Sequence, residues 1–516
     1  MMRSAAALPG RLARPAPPHV RQRPTPKGLL LWMGEHFTWV LMVGLLLAHI
    51  AFAQEVHSMP VRVLSAIPGI LFLMEGRWLI KNHDRQELPI VALGLAQFYA
   101  NFSLPVFFNV AFMGTGGRTT FSEEARVSAS LAAAVGAGSL LLGARIGFRL
   151  SPGVRRAWVA ALPPATVPKG WDLAVLVYTG AAAAFSLALS IGFSLPAALS
   201  IPASFALSLE LALGLTSAAT MVSVRSRAAR LPVFVWLLFG FLALMRGQLE
   251  PILRSSLAFF SARWVVIRRI SMPLLVAVGA VFVILQPAKS AFRAQVWTGE
   301  EAGIERRVTV WKDVLSDRYS SNSHRTDDDT SAADRLAELY PVINAFEVVP
   351  QRIEHINGAG FLPIFYGFIP RLLWPDKPTT RDEPSQHYAV DFGFQSEKAA
   401  ERTAIGIKIL VEGYWNFGWV GIVLVCAAMG IWLGVGQRVF RRDHWALFAI
   451  GVAQVFGTNA VGSITNTYGA LFQLVIGRVF AGWMVYLLAK ALSSPERARG
   501  PRMVRAPARR DPASPI

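Results

Sequence analysis

Long apolar runs alternate with short polar segments along most of the chain. A membrane-spanning helix needs about 20 mostly apolar residues. Runs that approach or reach this length lie near 37–53, 60–79, 89–113, 127–149, 172–193, 197–222, 231–246, 248–263, 271–287, 403–436, 445–461 and 467–489. The pattern predicts an all-α polytopic membrane protein with about twelve transmembrane helices. The runs at 231–246 and 248–263 are the shortest and carry charged residues.

The charge of the polar segments alternates along the chain. Every second segment is basic: KNHDR, RLSPGVRR, RSRAAR, RWVVIRR, RVFRR and the C-terminal tail. The segments QEVHSMP and SLPA contain neither Lys nor Arg. Since cytoplasmic loops carry an excess of Lys and Arg, both termini are expected in the cytoplasm. Merging the seventh and eighth spans would place RWVVIRR outside, which favours keeping them separate.

This topology divides the chain into five parts. We predict a disordered basic tail (1–35), spans one to nine (36–287), a large periplasmic loop with short helices (288–402), spans ten to twelve (403–490) and a second disordered basic tail (491–516). Within the loop, DDDTSAADRLAELYPVINA predicts a short amphipathic helix, with Thr330 or Ser331 as its N-cap.

Composition agrees with a membrane protein and narrows its partners. Of 516 residues, 16% are charged and 53% are hydrophobic, whereas soluble domains carry about 25% charged residues. The net charge of +19 lies largely in the tails and loops, where it indicates topology and membrane-lipid contact rather than nucleic-acid binding. The single cysteine, Cys426, excludes an intrachain disulfide and a cysteine metal site.

The segment FIPRLLWPDKP (368–378) is the stiffest polar stretch in the predicted loop. Its three prolines restrict the backbone, so that Arg371, Asp376 and Lys377 would be held in place at low entropic cost. A rigid guanidinium suits a phosphate or carboxylate group. In the alternative interpretation the segment packs on the membrane surface, with Trp374 as an interfacial anchor.

Charged residues also occur inside the apolar runs. Arg246, Glu250 and Arg254 follow at intervals of four residues, and charges at membrane depth usually face an internal cavity. A structural Arg–Glu pair or snorkelling to headgroups is the alternative. Glu210 and Arg478 lie deeper; they could pair with each other or with Lys408.

Several other side chains could take part in chemistry. His355 and His387 could act as bases or be structural. Glu412 and Asn416 lie one helical turn apart in EGYWNFGWVG, where they could face one site or belong to an aromatic belt that includes Tyr414. No HExxH, P-loop or GxSxG motif occurs. We therefore expect neither a metal ion nor another cofactor.

Taken together, RLAELYPVINAF, NGAGFLPIFYGFIPRLLWPDKP and KILVEGYWNFGWVG resemble the O-antigen polymerase (Wzy) family of oligosaccharide repeat unit polymerases. That family typically shows Pro-Arg and then Trp-Pro-x-Lys-Pro in a periplasmic loop, here Pro370-Arg371 and Trp374 to Pro378. Glu-x-Tyr-x-Asn-Phe-Gly follows at the next span, here Glu412 to Gly418. The pair Arg246-Gly247 also resembles the family's Arg-Gly.

The resemblance implies a glycosyltransferase of the bacterial inner membrane that acts at its periplasmic face. Such an enzyme moves a growing glycan from undecaprenyl diphosphate onto a lipid-linked repeat unit. A flippase and a chain-length regulator are then the expected partners. The product could be O-antigen, capsule or exopolysaccharide.

The same resemblance assigns expected roles to individual residues. Arg371 and Arg246 would clamp the departing diphosphate. A base is expected among His387, Asp376 and Glu412. The predicted substrate contacts are Lys377, Trp374, Arg254, Tyr414 and Asn416.

Two other functions remain open from the sequence. An O-antigen ligase would use similar parts, but the Trp-Pro-x-Lys-Pro motif favours a polymerase. A lipid-linked oligosaccharide flippase, which is a transporter, would be expected to have pseudo-symmetric halves. The large loop lies asymmetrically after the ninth span, which argues against that reading. A dolichol-sugar type transferase is indicated only weakly, by Glu55 and His57.

Overall fold

A computed structural model of the chain describes residues 26–52, 58–81, 87–107, 121–190, 207–223, 226–267, 271–286, 288–297, 303–319, 338–366, Ile369, Trp374, 384–394, 396–397, 406–457, 459–465, 467–468 and 477–493. These residues are almost entirely helical and form no β-strand. The predicted all-α class is therefore confirmed.

Eighteen α-helices occur in the described residues. In chain order they are α1 Pro26–Phe52, α2 Met59–Lys81, α3 Ile90–Phe102, α4 Leu104–Phe107, α5 Glu123–Ala161, α6 Trp171–Ser190, α7 Leu209–Val222, α8 Pro232–Met245, α9 Glu250–Ile267, α10 Met272–Leu285, α11 Lys289–Trp297, α12 Ile304–Tyr319, α13 Leu339–Val348, α14 Leu362–Tyr366, α15 Pro384–Asp391, α16 Ile409–Val439, α17 Trp445–Gly457 and α18 Val479–Leu492. Short 3₁₀ turns lie at Ala228–Arg230 and Ala359–Phe361.

Four of these helices are long and apolar enough to cross a membrane, as judged by length and composition. They cover Met59–Leu79, Glu123–Ala161, Trp171–Ser190 and Ile409–Val439. Seven further apolar helices in the described residues have 10 to 17 residues. Twelve helices of spanning length are thus not found, in part because the runs at 89–113, 197–222 and 467–489 extend beyond the described residues.

Three predicted boundaries differ from the structure. Helix α5 continues through the predicted inner loop 149–156, with Pro152 inside it. Helix α16 begins at Ile409 rather than near 403, after the N-cap residue Lys408. The predicted amphipathic helix is described only as α13, from Leu339, and its proposed caps lie outside the described residues.

Helices α5 and α16 pack backbone against backbone along small residues. A methyl group on Gly143 would lie 2.0 Å from the carbonyl oxygen of Ala427, and one on Gly430 would lie 1.9 Å from that of Leu140. Such close approach gives extensive van der Waals contact, which drives helix association where no hydrophobic effect operates. This pair forms the centre of the main core.

Ion pairs and hydrogen bonds show that the helix ends form two groups, one at each end of the helix bundle. Near one end of the bundle, Glu87 pairs with Arg438 at 3.0 Å and Arg155 with Asp443 at 2.7 Å. The opposite ends of α3 and α5 contact the predicted loop: Glu338 N donates to Asn101 O at 3.1 Å, and Ser122 Oγ donates to Glu347 at 2.7 Å. We call these the basic end and the loop end.

A second, smaller core lies at the loop end. Here α11 and α12 pack on the last residues of α8 and α10, and the buried side chains are Met245, Leu249, Leu285, Ala288, Phe292, Val296, Trp311 and Val314. The beginning of the predicted periplasmic loop is therefore helical and rests on the helix ends.

Candidate functional site

The first candidate cluster surrounds Glu412 in the first turn of α16. This carboxylate is only 2% exposed. It accepts hydrogen bonds from Ser463 Oγ at 2.8 Å, Ile464 N at 2.6 Å and Thr465 Oγ1 at 2.6 Å. Because both carboxylate oxygens are occupied by these donors, the geometry favours a positioning role for Glu412.

Asn416 extends this network by one helical turn. Its Nδ2 donates to the Glu412 carbonyl at 2.7 Å, and its Oδ1 accepts from Gly360 N at 3.2 Å. The hydroxyl of Thr465 also lies 3.2 Å from the Gly360 carbonyl oxygen. These bonds tie α16, the 3₁₀ turn at Ala359–Phe361 and the segment 463–465 together.

Helix α16 is interrupted directly after this network. Phe417 has φ −144° and ψ 25°, and Gly418 has φ 59° and ψ −142°. The freed carbonyl of Trp415 lies 3.2 Å from His355 Nδ1 and accepts from Ile356 N at 3.1 Å. The Asn-Phe-Gly element is therefore the place where the helix opens and contacts the segment around His355.

Aromatic side chains secure the same segment. The ring of Tyr414 lies 4.0 Å from that of Phe346, and its hydroxyl donates to the Val349 carbonyl at 3.4 Å. Trp415 Nε1 donates to the Glu354 carbonyl at 3.2 Å. Tyr414 thus contacts the loop segment as well as lying at a helix boundary.

The second candidate cluster is the Arg246-Gly247 turn at the loop end of α8. Three carbonyl groups there accept hydrogen bonds from α11 and α12: that of Gly247 from Arg293 Nε at 2.8 Å, that of Met245 from Arg307 Nη1 at 3.1 Å and that of Leu244 from Trp311 Nε1 at 3.0 Å. These are bonds to orphan carbonyls of a helix end. They also bring Arg307 close enough to Arg246 to repel it.

A cavity of about 320 Å³ opens beside this turn. Its polar lining consists of Ser186, Ser208, Glu210, Arg246 and Gln248, and its other walls are apolar. Arg246 Nη2 also donates to Ser190 Oγ at 3.0 Å. A mixed lining of this kind is typical of small-molecule sites, in which a few polar groups orient the ligand.

The other charged residues singled out from the sequence have different partners. Arg254 is bonded to Glu250 within α9, as the structural alternative proposed. Lys408 pairs with Glu338 at 2.7 Å. Glu210 and the buried Arg478 attract each other, with Tyr178 beside both.

The predicted loop residues are described only in part. His387 is exposed on α15, while the adjacent Tyr388 is buried against Trp415. Burial, with a smaller contribution from Glu338, holds the pKa of Tyr388 well above its usual value, so its hydroxyl stays protonated. Trp374 is 38% exposed, and its ring lies 6.0 Å from that of Tyr366.

Three of the predicted residues, Arg371, Asp376 and Lys377, lie outside the described residues.

The structure thus groups Glu412, Tyr414 and Asn416 in one cluster and Arg246 in another. Sequence reasoning missed the residues that form hydrogen bonds within each of these two clusters. Ser463 and Thr465 stand in VGSITNTYG, a polar patch between the last two apolar runs. The others, Arg293 and Arg307, lie 6 and 20 residues after the end of the ninth run at 287, and their basic character was the available signal.

This protein is therefore of the all-α class, with helices that are able to cross a membrane. Two polar clusters lie at one end of the helix bundle. The chain belongs to the DUF8712 family, a domain of unknown function, whose pattern matches residues 173–484. No curated protein matches the chain, and no solved structure matches it. Both clusters contain residues of the matched range.

Proposed function

We propose that this protein is a membrane glycosyltransferase that polymerises undecaprenyl-diphosphate-linked oligosaccharide repeat units at the periplasmic face of the bacterial inner membrane. The observation that carries the proposal is the set of arginines at the loop end of α8, where Arg293 and Arg307 bond to backbone carbonyls and Arg246 lines a cavity with polar and apolar walls. The resemblance of the loop motifs to O-antigen polymerases supplies the reaction class.

The chemistry of a diphosphate leaving group explains the arginines. As the glycosidic bond to phosphate breaks, negative charge grows on the departing diphosphate. Preorganised cationic donors that face this charge stabilise the transition state more than the ground state. Apolar walls beside Arg246 suit the first part of a polyprenyl chain, and Arg371 would be the donor supplied by the loop.

The proposal includes the twelve-span topology. The two-ended pattern of contacts supports it: Glu87 and Asn101 flank α3 at opposite ends, and so do Lys408 and Arg438 for α16. Short helices such as α8 and α9 would then cross the membrane together with the residues that flank them in sequence. The short connections at the basic end contain Arg438 and Arg441, and the positive-inside rule, which applies to short loops, would place that end in the cytoplasm.

The test is a gel of surface and lipid-linked glycan from cells with wild type, a deletion, Arg371→Ala, Arg246→Ala or Arg307→Ala. We expect the long-chain ladder to collapse to single repeat units that still reach the outer face. By comparison with oxyanion-type donors, each Arg variant should lose on the order of 10²–10³ in rate. Arg156→Ala, an exposed arginine at the basic end, serves as the matched control with a normal ladder.

Other outcomes would support the alternatives. Repeat units trapped on the cytoplasmic side would identify a flippase and overturn the proposal. Long chains that form but remain on the lipid carrier would identify a ligase. Normal ladders in all three arginine variants would show that these arginines take no part in the reaction.

A further inference from the structure

We propose that His355 is the base that deprotonates the acceptor hydroxyl, with Nε2 as the nitrogen that receives the proton. This inference rests on the proposed function and names the residue that works on the acceptor side. Among the described residues, His355 lies where α16 opens, with its Nδ1 beside the carbonyl oxygen of Trp415.

The hydrogen bonds of His355 assign its tautomer. Nδ1 lies 3.2 Å from the carbonyl oxygen of Trp415. A carbonyl can only accept, so Nδ1 carries the hydrogen. In a neutral imidazole the other nitrogen, Nε2, then holds the lone pair. The arrangement in which a carbonyl orients one nitrogen and leaves the other free to take a proton is what a general base requires.

The backbone of α16 leaves room beside this nitrogen. A methyl group at Gly418 would lie 3.8 Å from His355 Cε1 and 4.0 Å from Nε2. Any larger side chain at position 418 would therefore cover this part of the ring. With glycine there, the half-buried imidazole keeps open space next to the interrupted helix.

Exposed aromatic residues flank Gly418 in the sequence, and Tyr414 contacts His355 directly. Phe417 is 44% exposed and Trp419 is 38% exposed. The ring of Tyr414 contacts that of His355 edge to face, with centroids 5.7 Å apart. Flat apolar rings with a polar group between them suit the C–H faces and hydroxyls of a sugar. The other candidate bases fit less well, because the carboxylate of Glu412 is occupied and His387 is exposed on α15.

The reaction step balances with the groups named. The acceptor hydroxyl oxygen attacks the anomeric carbon of the donor glycan. The bond from that carbon to the phosphate oxygen breaks, and undecaprenyl diphosphate leaves with the electron pair. Nε2 of His355 takes the hydroxyl proton, and no oxidant, reductant or further reactant is needed.

The experiment compares His355→Asn with His355→Ala and wild type in membrane vesicles supplied with purified undecaprenyl-diphosphate-linked repeat units. The Asn amide can still donate to the Trp415 carbonyl, but it cannot accept a proton. We expect both variants to lose about 10²–10⁴ in transfer rate. His387→Asn is measured alongside them. Glu354→Gln, an exposed neighbour, is the control with the wild-type rate.

Two results would overturn the inference: a His355→Asn rate within about threefold of wild type, or a transfer of the whole effect to His387→Asn. Failure of the proposed function looks different, because wild-type vesicles would then form no polymer at all. Thermal unfolding of each variant in detergent separates loss of the base from loss of the fold.

Discussion

Thr465 Oγ1 lies 2.6 Å from the carboxylate of Glu412, although 53 residues separate the two in sequence. Both side chains are buried. The bond fixes the segment before the last apolar run to the first turn of α16. Because Asn416 extends the same network to Gly360, it also holds the loop segment that contains His355. A buried, fully bonded network of this kind can specify one arrangement of three chain segments.

Removal of the Glu412 carboxylate should destabilise the protein strongly. Glu412→Ala removes the acceptor of two buried backbone amides, those of Ile464 and Thr465, whereas the Thr465 hydroxyl keeps the Gly360 carbonyl as an acceptor. Each unsatisfied group costs about 1–3 kcal/mol, so a total of at least about 2 kcal/mol is expected. The measurement is thermal unfolding in detergent, with Glu354→Ala as the exposed control. Full stability with lost polymerisation would instead assign Glu412 the role of base.

Sequence reasoning located these residues better than it located their partners. The spacing of Glu412 and Asn416 predicted a shared face, and the structure joins them. Their acceptors and donors at 360 and 463–465 are distant in sequence, and no local pattern specifies such pairings. The same lack of a local signal explains why the full length of α5 was not predicted. Pro152 and the nearby arginines suggested a loop, but Arg155 bonds to Asp443 and Trp158 packs on Phe440, and these contacts continue the helix.

Gly418→Ala should cost stability through the backbone rather than through a clash. The residue has φ 59° and ψ −142°, a region that L-residues adopt at a cost of about 1–3 kcal/mol. The added methyl group meets only ordinary contacts. The free energy of unfolding in detergent should therefore be lower than in wild type by about 1–3 kcal/mol. The unfolding temperature should be lower as well.

Gly180→Ala is the matched control for this substitution. Gly180 lies in α6, and a methyl group there has no neighbour within 4 Å. Since Ala favours helices by about 1 kcal/mol over Gly, the control should be as stable as wild type or more stable. Equal destabilisation of both variants would contradict the assigned break in α16.

The pair of Glu210 and Arg478 should behave as one unit. Arg478 is 8% exposed, and Glu210 is the carboxylate that attracts it. Glu210→Ala leaves the buried cation without the carboxylate that attracts it, so the variant should be less stable than wild type. The double variant Glu210→Ala with Arg478→Met should regain much of this stability, because it removes the charge itself. A double-mutant cycle of unfolding free energies measures the coupling. Additive effects would show that the two residues do not depend on each other.

His444 should make stability depend on pH below neutrality. It is 5% exposed just before α17, close to Asp443 and Arg155. Burial lowers its pKa below the ordinary value of 6.5, and the opposing effect of Asp443 is smaller. Between the lowered pKa and 6.5 the unfolded chain binds more protons than the folded one. Stability should therefore be flat with respect to this group above pH 6.5 and should fall as the pH decreases through that window.

The measurement compares unfolding midpoints in detergent at pH 7.5 and pH 5 for wild type, His444→Gln and His387→Gln. His387 is exposed, so its variant should keep the wild-type decrease on acidification. His444→Gln should show a smaller decrease, because the group that takes up the extra proton on unfolding is gone. An identical decrease in all three proteins would mean that burial of His444 does not contribute to the pH dependence, and other titrating groups would then have to supply it.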